Sequence, residues 1–404
     1  MLPFSIEHFI AKHITNRETS LFADDLKANH AKLAAAIDGK SIMVIGGAGT
    51  IGSSFVKAAL QFKPKRLYVL DINENGLTEL TRDLRSSLGY QMPDDYKTYP
   101  IDFGDPVFTK LLQKEGPFEI VANFAAHKHV RSEKDHYSIE AMIENNVLRA
   151  KKLLDLLNEQ KPEHFFCVST DKAANPVNVM GASKKLMEEV ILAYSAMIPI
   201  TTARFANVAF SNGSLLAGFI ERMMKRQPLS APQDVKRYFV SPQESGQLCL
   251  LACIMGKSGE IFFPKLGEEQ MLTFSEIATA FLSELGYTPD FCTSEQEAKE
   301  KAALLTPNSK TYPVFYFGSD TSGEKSFEEF YTDGEEIDLN RFSQLGVIEN
   351  APKRMMRDID KMFAKLRKLF KQDELDKSAV VRLLQEFIPN FEHIETGKSL
   401  DQKM

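Results

Sequence analysis

The sequence predicts an α/β protein: a doubly wound parallel sheet, a smaller mixed α/β lobe beside it, and helical extensions at both ends. Three observations lead there. Short apolar runs such as IMVI at 42–45, RLYVL at 66–70 and FFCV at 165–168 are too short for helices and suit strands covered on both faces. Helical patterns follow several of these runs, as in βαβ units. The first run leads directly into the glycine turn GGAGTIG at 46–52 and then an apolar-periodic helix.

With 404 residues the chain exceeds the roughly 100–200 of one domain, so two lobes are expected. The expected organisation is a helical extension at 1–39, a Rossmann-type dinucleotide-binding domain at 40–205 with returning segments after 205, a mainly substrate-binding lobe at 206–335, and a helical extension at 336–404. Charged residues make up 26% and the net charge is −6, which argues against nucleic acid or an anionic membrane as partner. A nucleotide ligand therefore requires a local basic site. Cysteines 167, 249, 253 and 292 form neither a CxxC pair nor a zinc-ligand pattern, as expected of reduced thiols in the cytoplasm. Cys249 and Cys253, in GQLCLLACIM, read as helix core. No signal-peptide pattern and no 18-residue apolar run is present, so a cytoplasmic chain off the membrane is expected.

Taken in order, residues 1–39 carry apolar positions at Phe9, Ile10, Ile14, Phe22 and Leu26 and read as a helical cover without chemistry. In the turn that follows, Gly46, Gly49 and Gly52, with Thr50 and Ile51 between the last two, offer backbone N–H groups and a helix N-terminus to a pyrophosphate. The next strand ends at Asp71, nineteen residues after Gly52, where a carboxylate can take both ribose hydroxyls. That carboxylate favours NAD and repels the 2′-phosphate of NADP; Arg82 and Arg85 leave NADP as the alternative. TYPIDFGD places Asp102 and Phe103 after another strand, and EIVANFAAHKHV runs into Ala125 and Ala126, small enough for a ligand to pass closely. His127 and His129 lack the further ligands a metal needs, so no metal is expected. Lys128 reads either as a cation at the substrate mouth or as a solvated loop lysine. Residues 138–160 form an amphipathic helix, in which Asn146 is, by spacing alone, a polar position.

The stretch FFCVSTDKAANPVNVMGASKK, 165–185, concentrates the chemistry. A buried strand ends in Ser169, Thr170, Asp171 and Lys172, at the edge of the sheet where ligands bind in open α/β folds. Asn175-Pro176 turns the chain, and Met180 and Lys184, four apart, share one face of the next helix. This stretch, with the glycine turn, resembles the extended short-chain dehydrogenase/reductase superfamily, and within it the polysaccharide-biosynthesis branch similar to UDP-N-acetylglucosamine 4,6-dehydratases. The variant with methionine at the usual tyrosine position occurs in that branch, as Met180 does here.

The resemblance implies roles for further residues. Asp102 and Phe103 would lie by the cofactor, with Ala125 and Ala126 beside its backbone, and Asn146 would sit near the active site. Asn207 of RFANV, Ser214 in the loop after it and Arg237 of KRYF would bind the UDP-amino sugar, with Arg237 as a two-pronged diphosphate clamp. TSGEKSFEEF at 321–330 lacks the arginine that the branch carries before its Pro-Gly, having Asp320, Thr321 and Ser322 instead. The helices around 138–160 and 181 onward would build a homodimer bundle, and a homodimer or higher homo-oligomer is expected. The activity implied is 4,6-dehydration: Lys172 as base at C5, Asp171 as acid at C6, Thr170 bonded to the sugar near C4 and Lys184 on the nicotinamide ribose. A thioether accepts no proton from a hydroxyl, so Asp171 is expected to take the C4 proton first and serve as the acid afterwards. A dehydratase that also inverts C5, a nucleotide-sugar 4-epimerase and a catalytically silent dinucleotide-binding scaffold or sensor are the alternatives.

Overall fold

A nine-stranded sheet organises the molecule, in a computed structural model that describes residues 4–130, 133–320, 322–372 and 375–397. Its parallel strands are β1 (Ser41–Ile45), β2 (Arg66–Leu70), β3 (Asp95–Tyr99), β4 (Ile120–Asn123), β5 (His164–Val168) and β6 (Ile200–Ala203). They lie in the order β3-β2-β1-β4-β5-β6, which puts the reversal of strand order between β1 and β4. Glu260–Pro264 continues the sheet parallel to β6, and Leu345–Ile348 and Ile337–Asp338 close it antiparallel.

The inner strands are buried on both faces, unlike the edge strand β3, and their successive residues feed two separate cores as the two-residue side-chain period requires. Met43, Ile45, Phe165 and Cys167 point into one core with the helices 136–159 and Val179–Ala193. Ile42, Val44, Phe166 and Val168 point into the other with the helices Thr50–Leu60 and Pro242–Met255. A third core belongs to the smaller lobe, where Leu229–Pro232, Thr288–Phe291 and Thr311–Phe317 form a three-stranded sheet covered by the helices Leu215–Met224 and Phe274–Glu284.

The N-terminal segment joins two of these cores. Phe9, Ile10 and Ile14 sink into the small lobe, whereas Phe22, Leu33 and Ile37 pack under the main sheet. Arg17 forms two bonds to Glu244, at 3.0 and 3.1 Å, and the Asp25 carboxylate accepts from the backbone N–H groups of Ser343 and Gln344.

The stretch 336–404 departs from the all-helical expectation, because the two closing strands of the main sheet lie in it and its helices begin only at Met356. Leu345, Val347 and Ile348 are fully buried there, and a four-residue apolar run suits a strand better than a helix. The helices Met356–Leu369 and Lys377–Phe387 then pack against the helices on one face of the sheet. Their Ile359, Met362, Phe363, Leu366, Val380 and Leu384 share one apolar cluster with Leu153, Leu154, Leu157, Met187, Val190 and Ile191. One apolar face of the helices 136–159 and Val179–Ala193 is thus covered within the chain itself. Further on, the tail follows the loop after β5: Asn390 Nδ2 donates to the Ala174 carbonyl at 3.0 Å, and the N–H groups of Glu392 and Ile394 donate to the carbonyls of Pro176 and Val177. No helix among the described residues is long and apolar enough to cross a membrane.

Candidate functional site

A cleft of about 660 Å³ opens along the carboxyl ends of β1, β2, β4 and β5, where the strand order reverses. That is the size and the place of a ligand site in a doubly wound sheet. One end is built by the glycine turn. Gly46 adopts φ +75°, and a Cβ there would lie 2.4 Å from the Ala125 nitrogen, so the turn and the end of β4 can approach only without a side chain. Gly52 fails the same way, with a Cβ 2.3 Å from the Gly46 carbonyl oxygen, whereas at Gly49 the contact would be an ordinary 3.4 Å. Gly46→Ala is therefore expected to cost about 1–3 kcal/mol of stability and Gly49→Ala much less, read as urea unfolding midpoints.

Thr50 and Ile51 open the helix behind the turn and line the cleft. The N–H of Asn212 donates to Thr50 Oγ1 at 2.9 Å, which brings the loop after Asn207 over the turn. Asp71 lines the cleft at the end of β2, its two oxygens accepting from the N–H groups of Ala48 and Asn73, both at 2.9 Å. Asp102 and Phe103 form the neighbouring wall. The Asp102 carboxylate takes the Gly104 N–H at 2.7 Å and pairs with Arg149, a cleft residue the sequence did not single out. Ala125 and Ala126 face the turn from the end of β4.

The turn fits a dinucleotide by its own construction: Gly46 held against the end of β4 and Gly52 against the turn with no room for a side chain, an eleven-residue helix starting at Thr50, and a carboxylate at the next strand end. Neither Arg82 nor Arg85 is among the residues that line the cleft.

The other end of the cleft is walled by Thr170, Lys172, Met180 and Lys184. Asn178 caps the helix Val179–Ala193 by accepting from the Gly181 N–H at 2.7 Å, which fixes its first turn. Met180 and Lys184 consequently project into the cleft from one face. Lys184 is 4% exposed and donates to the Val168 carbonyl at 2.8 Å, and burial pushes its ammonium below the ordinary lysine range. Asp171 does not line the cleft. Its buried Oδ1 accepts from Thr170 Oγ1 at 2.8 Å, from the Lys172 N–H at 2.9 Å and from Lys172 Nζ at 3.2 Å, so it reaches the cleft through its two neighbours.

Of the residues expected at the substrate, Lys128 and Asn207 line the cleft, and Lys128 Nζ donates to the Asn212 carbonyl at 2.8 Å. Three others do not line it. Asn146 is buried in a π-helical turn, where its amide accepts from the His127 N–H and donates to the His127 carbonyl and Ser183 Oγ, so it pins a cleft residue from behind. Ser214 caps the helix Leu215–Met224 through the Ala217 N–H. Arg237 is 5% exposed and turned inward, its Nη1 donating to the carbonyls of Lys236, Lys325 and Ser326. A buried guanidinium takes the acceptors at hand, and here they are backbone carbonyls.

Arg237 also lies 3.9 Å from the buried carboxylate of Glu328, which stands 3.7 Å from Lys172 Nζ. Glu328 was not singled out in the sequence, although the doubled glutamate of SFEEF was its signal. Thr321, in the segment lacking the arginine, lies outside the described residues. Behind the wall, Ser169 Oγ donates to Glu188 at 2.7 Å, and Glu188 holds the fully buried Arg204 with two bonds at 3.0 and 2.9 Å. Arg204 also reaches Glu335 at 2.9 and 2.8 Å and the Phe330 carbonyl at 3.0 Å, tying the end of β5 to the segment that carries Glu328.

The family described as Polysaccharide biosynthesis protein matches residues 42–350. The Uncharacterized membrane protein MJ1061 of Methanocaldococcus jannaschii is 34% identical over 62% of this chain and 74% of that protein. The Probable polysaccharide biosynthesis protein EpsC of Bacillus subtilis is 28% identical over 77% of this chain, which spans about half of it, 51%. The UDP-N-acetylglucosamine 4,6-dehydratase (inverting) of Campylobacter jejuni is 26% identical over 57% of this chain and 68% of that protein. Among solved structures, DesIV of Streptomyces venezuelae, a dTDP-glucose 4,6-dehydratase with NAD bound, aligns with a TM-score of 0.56 at 18% identity, over 81% of this chain and 97% of that one. At that identity the likeness is one of fold.

Proposed function

Because the chain belongs to the polysaccharide biosynthesis protein family, a branch of the extended short-chain dehydrogenase/reductases, we propose that it is a nucleotide-sugar 4,6-dehydratase. Its substrate in this reading is UDP-N-acetylglucosamine, and its product the UDP-4-keto-6-deoxy-N-acetylhexosamine. The observation that carries the reading is the side-by-side placement of Lys172 and Thr170 in the cleft wall, both bonded to the buried Asp171, in the same wall as Lys184.

NAD, when bound, supplies the hydride chemistry: removal from C4 and return to C6. The glycine turn holds its diphosphate, Asp71 its adenosine ribose and Lys184 its nicotinamide ribose. The Asp71 carboxylate, with Arg82 and Arg85 outside the cleft lining, favours NAD over NADP. Lys128 and Asn207 take the nucleotide end of the substrate. Met180 accepts no proton, so the C4 hydroxyl gives its proton to Thr170 Oγ1, which passes its own to Asp171. Asp171 is then a carboxylic acid, and Thr170 Oγ1 gives its own proton to the departing C6 hydroxyl while taking the one held by Asp171, releasing water. Lys172, as free amine, removes the C5 proton and returns one to C5 as the double bond is reduced.

A simple 4-epimerase has no use for a base at C5, so Lys172 in the cleft favours dehydration over epimerisation. The purified chain incubated with UDP-N-acetylglucosamine in deuterated water is expected to form a 4-keto-6-deoxy product with one solvent deuterium at C5, read by proton NMR and alkaline absorbance. The configuration at C5 in the same spectrum tells retention from inversion. Formation of the C4 epimer, or no product, overturns the assignment.

A further inference from the structure

The strand ends meet the parts of a dinucleotide in order. With the diphosphate at the glycine turn after β1 and the adenosine ribose at Asp71 after β2, the base falls toward the end of β3, the next strand outward. The inference below rests on that dinucleotide reading. The turn after β3 puts Asp102 in the cleft wall. Adenine carries an amino group, which a carboxylate accepts, where hypoxanthine carries a carbonyl oxygen, which it repels.

The helix Arg149–Glu159 clamps that turn. Arg149 Nη1 donates to Asp102 Oδ2 while Oδ1 takes the Gly104 N–H at 2.7 Å, so both oxygens are held and each keeps a lone pair for a ligand. One turn along the helix, Lys152 Nζ donates to the Gly104 carbonyl at 2.7 Å. The guanidinium lies against Gly104, where a Cβ would stand 2.7 Å from Arg149 Nε and 2.9 Å from its Cζ. Gly104 is not among the glycines of positive φ, so a side chain there would violate this contact and not the backbone. Arg149 Nε also stands 4.0 Å from Glu144 Oε1, in the same cleft wall, which puts the cation between two carboxylates. An ion pair 31% and 28% exposed adds little to the stability of the fold; what it fixes is direction.

We propose that Arg149 is a positioning residue for the cofactor: it aims the Asp102 carboxylate at the amino group of the base and so makes the site select adenine. Arg149 acts through Asp102. Without the guanidinium the carboxylate keeps only the Gly104 N–H, and it faces Glu144 with no cation between them. Gly104 and Arg149 also line a second cavity of about 450 Å³, against the helix Met356–Leu369, so a guanidinium pushed off Gly104 has room to move.

Gly104→Ala and Arg149→Met test this from the two sides of the contact. The added methyl group displaces the guanidinium while leaving the cleft lining untouched, because Gly104 is not part of it. Calorimetry on the full chain, stripped of dinucleotide with charcoal, compares NAD, nicotinamide hypoxanthine dinucleotide and UDP. The wild type is expected to bind NAD at least about tenfold more tightly than the hypoxanthine analogue. In Arg149→Met that preference is expected to fall to about threefold or less, with UDP binding within about twofold of wild type. Gly104→Ala is expected to lower the preference in the same direction, and Arg149→Lys to recover part of it. Asp102→Ala is expected to remove it, and adding Arg149→Met to Asp102→Ala to change it no further. An intact preference in Arg149→Met, even with both dinucleotides weakened equally, overturns the proposal, as does an additive loss in the double variant. A wild type that binds NAD without distinguishing the analogue overturns the clamp alone; one that binds neither dinucleotide overturns the dinucleotide reading with it.

Discussion

Lys172→Met is expected to lower turnover of UDP-N-acetylglucosamine by about 10²–10⁴-fold, the range for loss of a positioned acid or base. Methionine keeps the length and apolar stem of the side chain, so the wall of the cleft stays filled. Binding of UDP, measured by calorimetry, is expected to hold within about threefold, because the proposed reading gives the nucleotide end to Lys128 and Asn207 rather than to Lys172. Lys172→Arg separates the two ways a cation can matter. A guanidinium keeps the positive charge beside Asp171 and Glu328 but does not become a free base. If Lys172 serves as base, arginine rescues nothing; substantial recovery in Lys172→Arg would make the residue an electrostatic prop and remove the C5 base from the mechanism.

Arg204→Leu is expected to destabilise the fold by about 3–5 kcal/mol, the cost of stranding buried carboxylates without their partner. Arg204 is fully buried and makes two bonds each to Glu188 and Glu335. Adding Glu188→Gln to Arg204→Leu is expected to recover part of the loss, which a simple cavity would not allow, and urea unfolding of the two variants measures the difference. Acid has a related effect. Burial alone would raise the Glu188 carboxyl, but Arg204, Lys185 and the Ser169 hydroxyl outweigh it and hold the group below its ordinary value. Its contribution is therefore present above the unfolded carboxylate range and is lost as pH falls through the lower folded value, a slope that Arg204→Leu should flatten.

The parts of the molecule legible in the sequence are those written locally. The six parallel strands, the glycine turn and the 169–184 stretch each occupy a short span with its own period or punctuation, and Thr170, Lys172, Met180 and Lys184 meet in one cleft wall as that span implies. What was not legible depends on partners far apart in the chain. Arg204 and Glu335 are 131 positions apart, and nothing near either residue announces the pair. Arg237 carried the right chemistry for a phosphate, yet it turns to backbone carbonyls 88 and 89 positions away that only the fold supplies. The closing strands after residue 336 were hidden in the same way, because Leu345–Ile348 becomes a strand by pairing with Glu260–Pro264.

The clasp of residues 390–394 on the loop after β5 bears on how the protein is made. Asn390 is 216 positions beyond its partner Ala174, so at about 5–20 residues per second a ribosome needs roughly 10–40 s to deliver it after the loop itself has emerged. During that interval the nucleotide half can fold while the ground beside Lys172 lacks its last fastenings. In the proposed reading, a nascent chain stalled there would have its cofactor end formed before its sugar end, and trimming of the finished tail would return the molecule to that earlier stage of its synthesis.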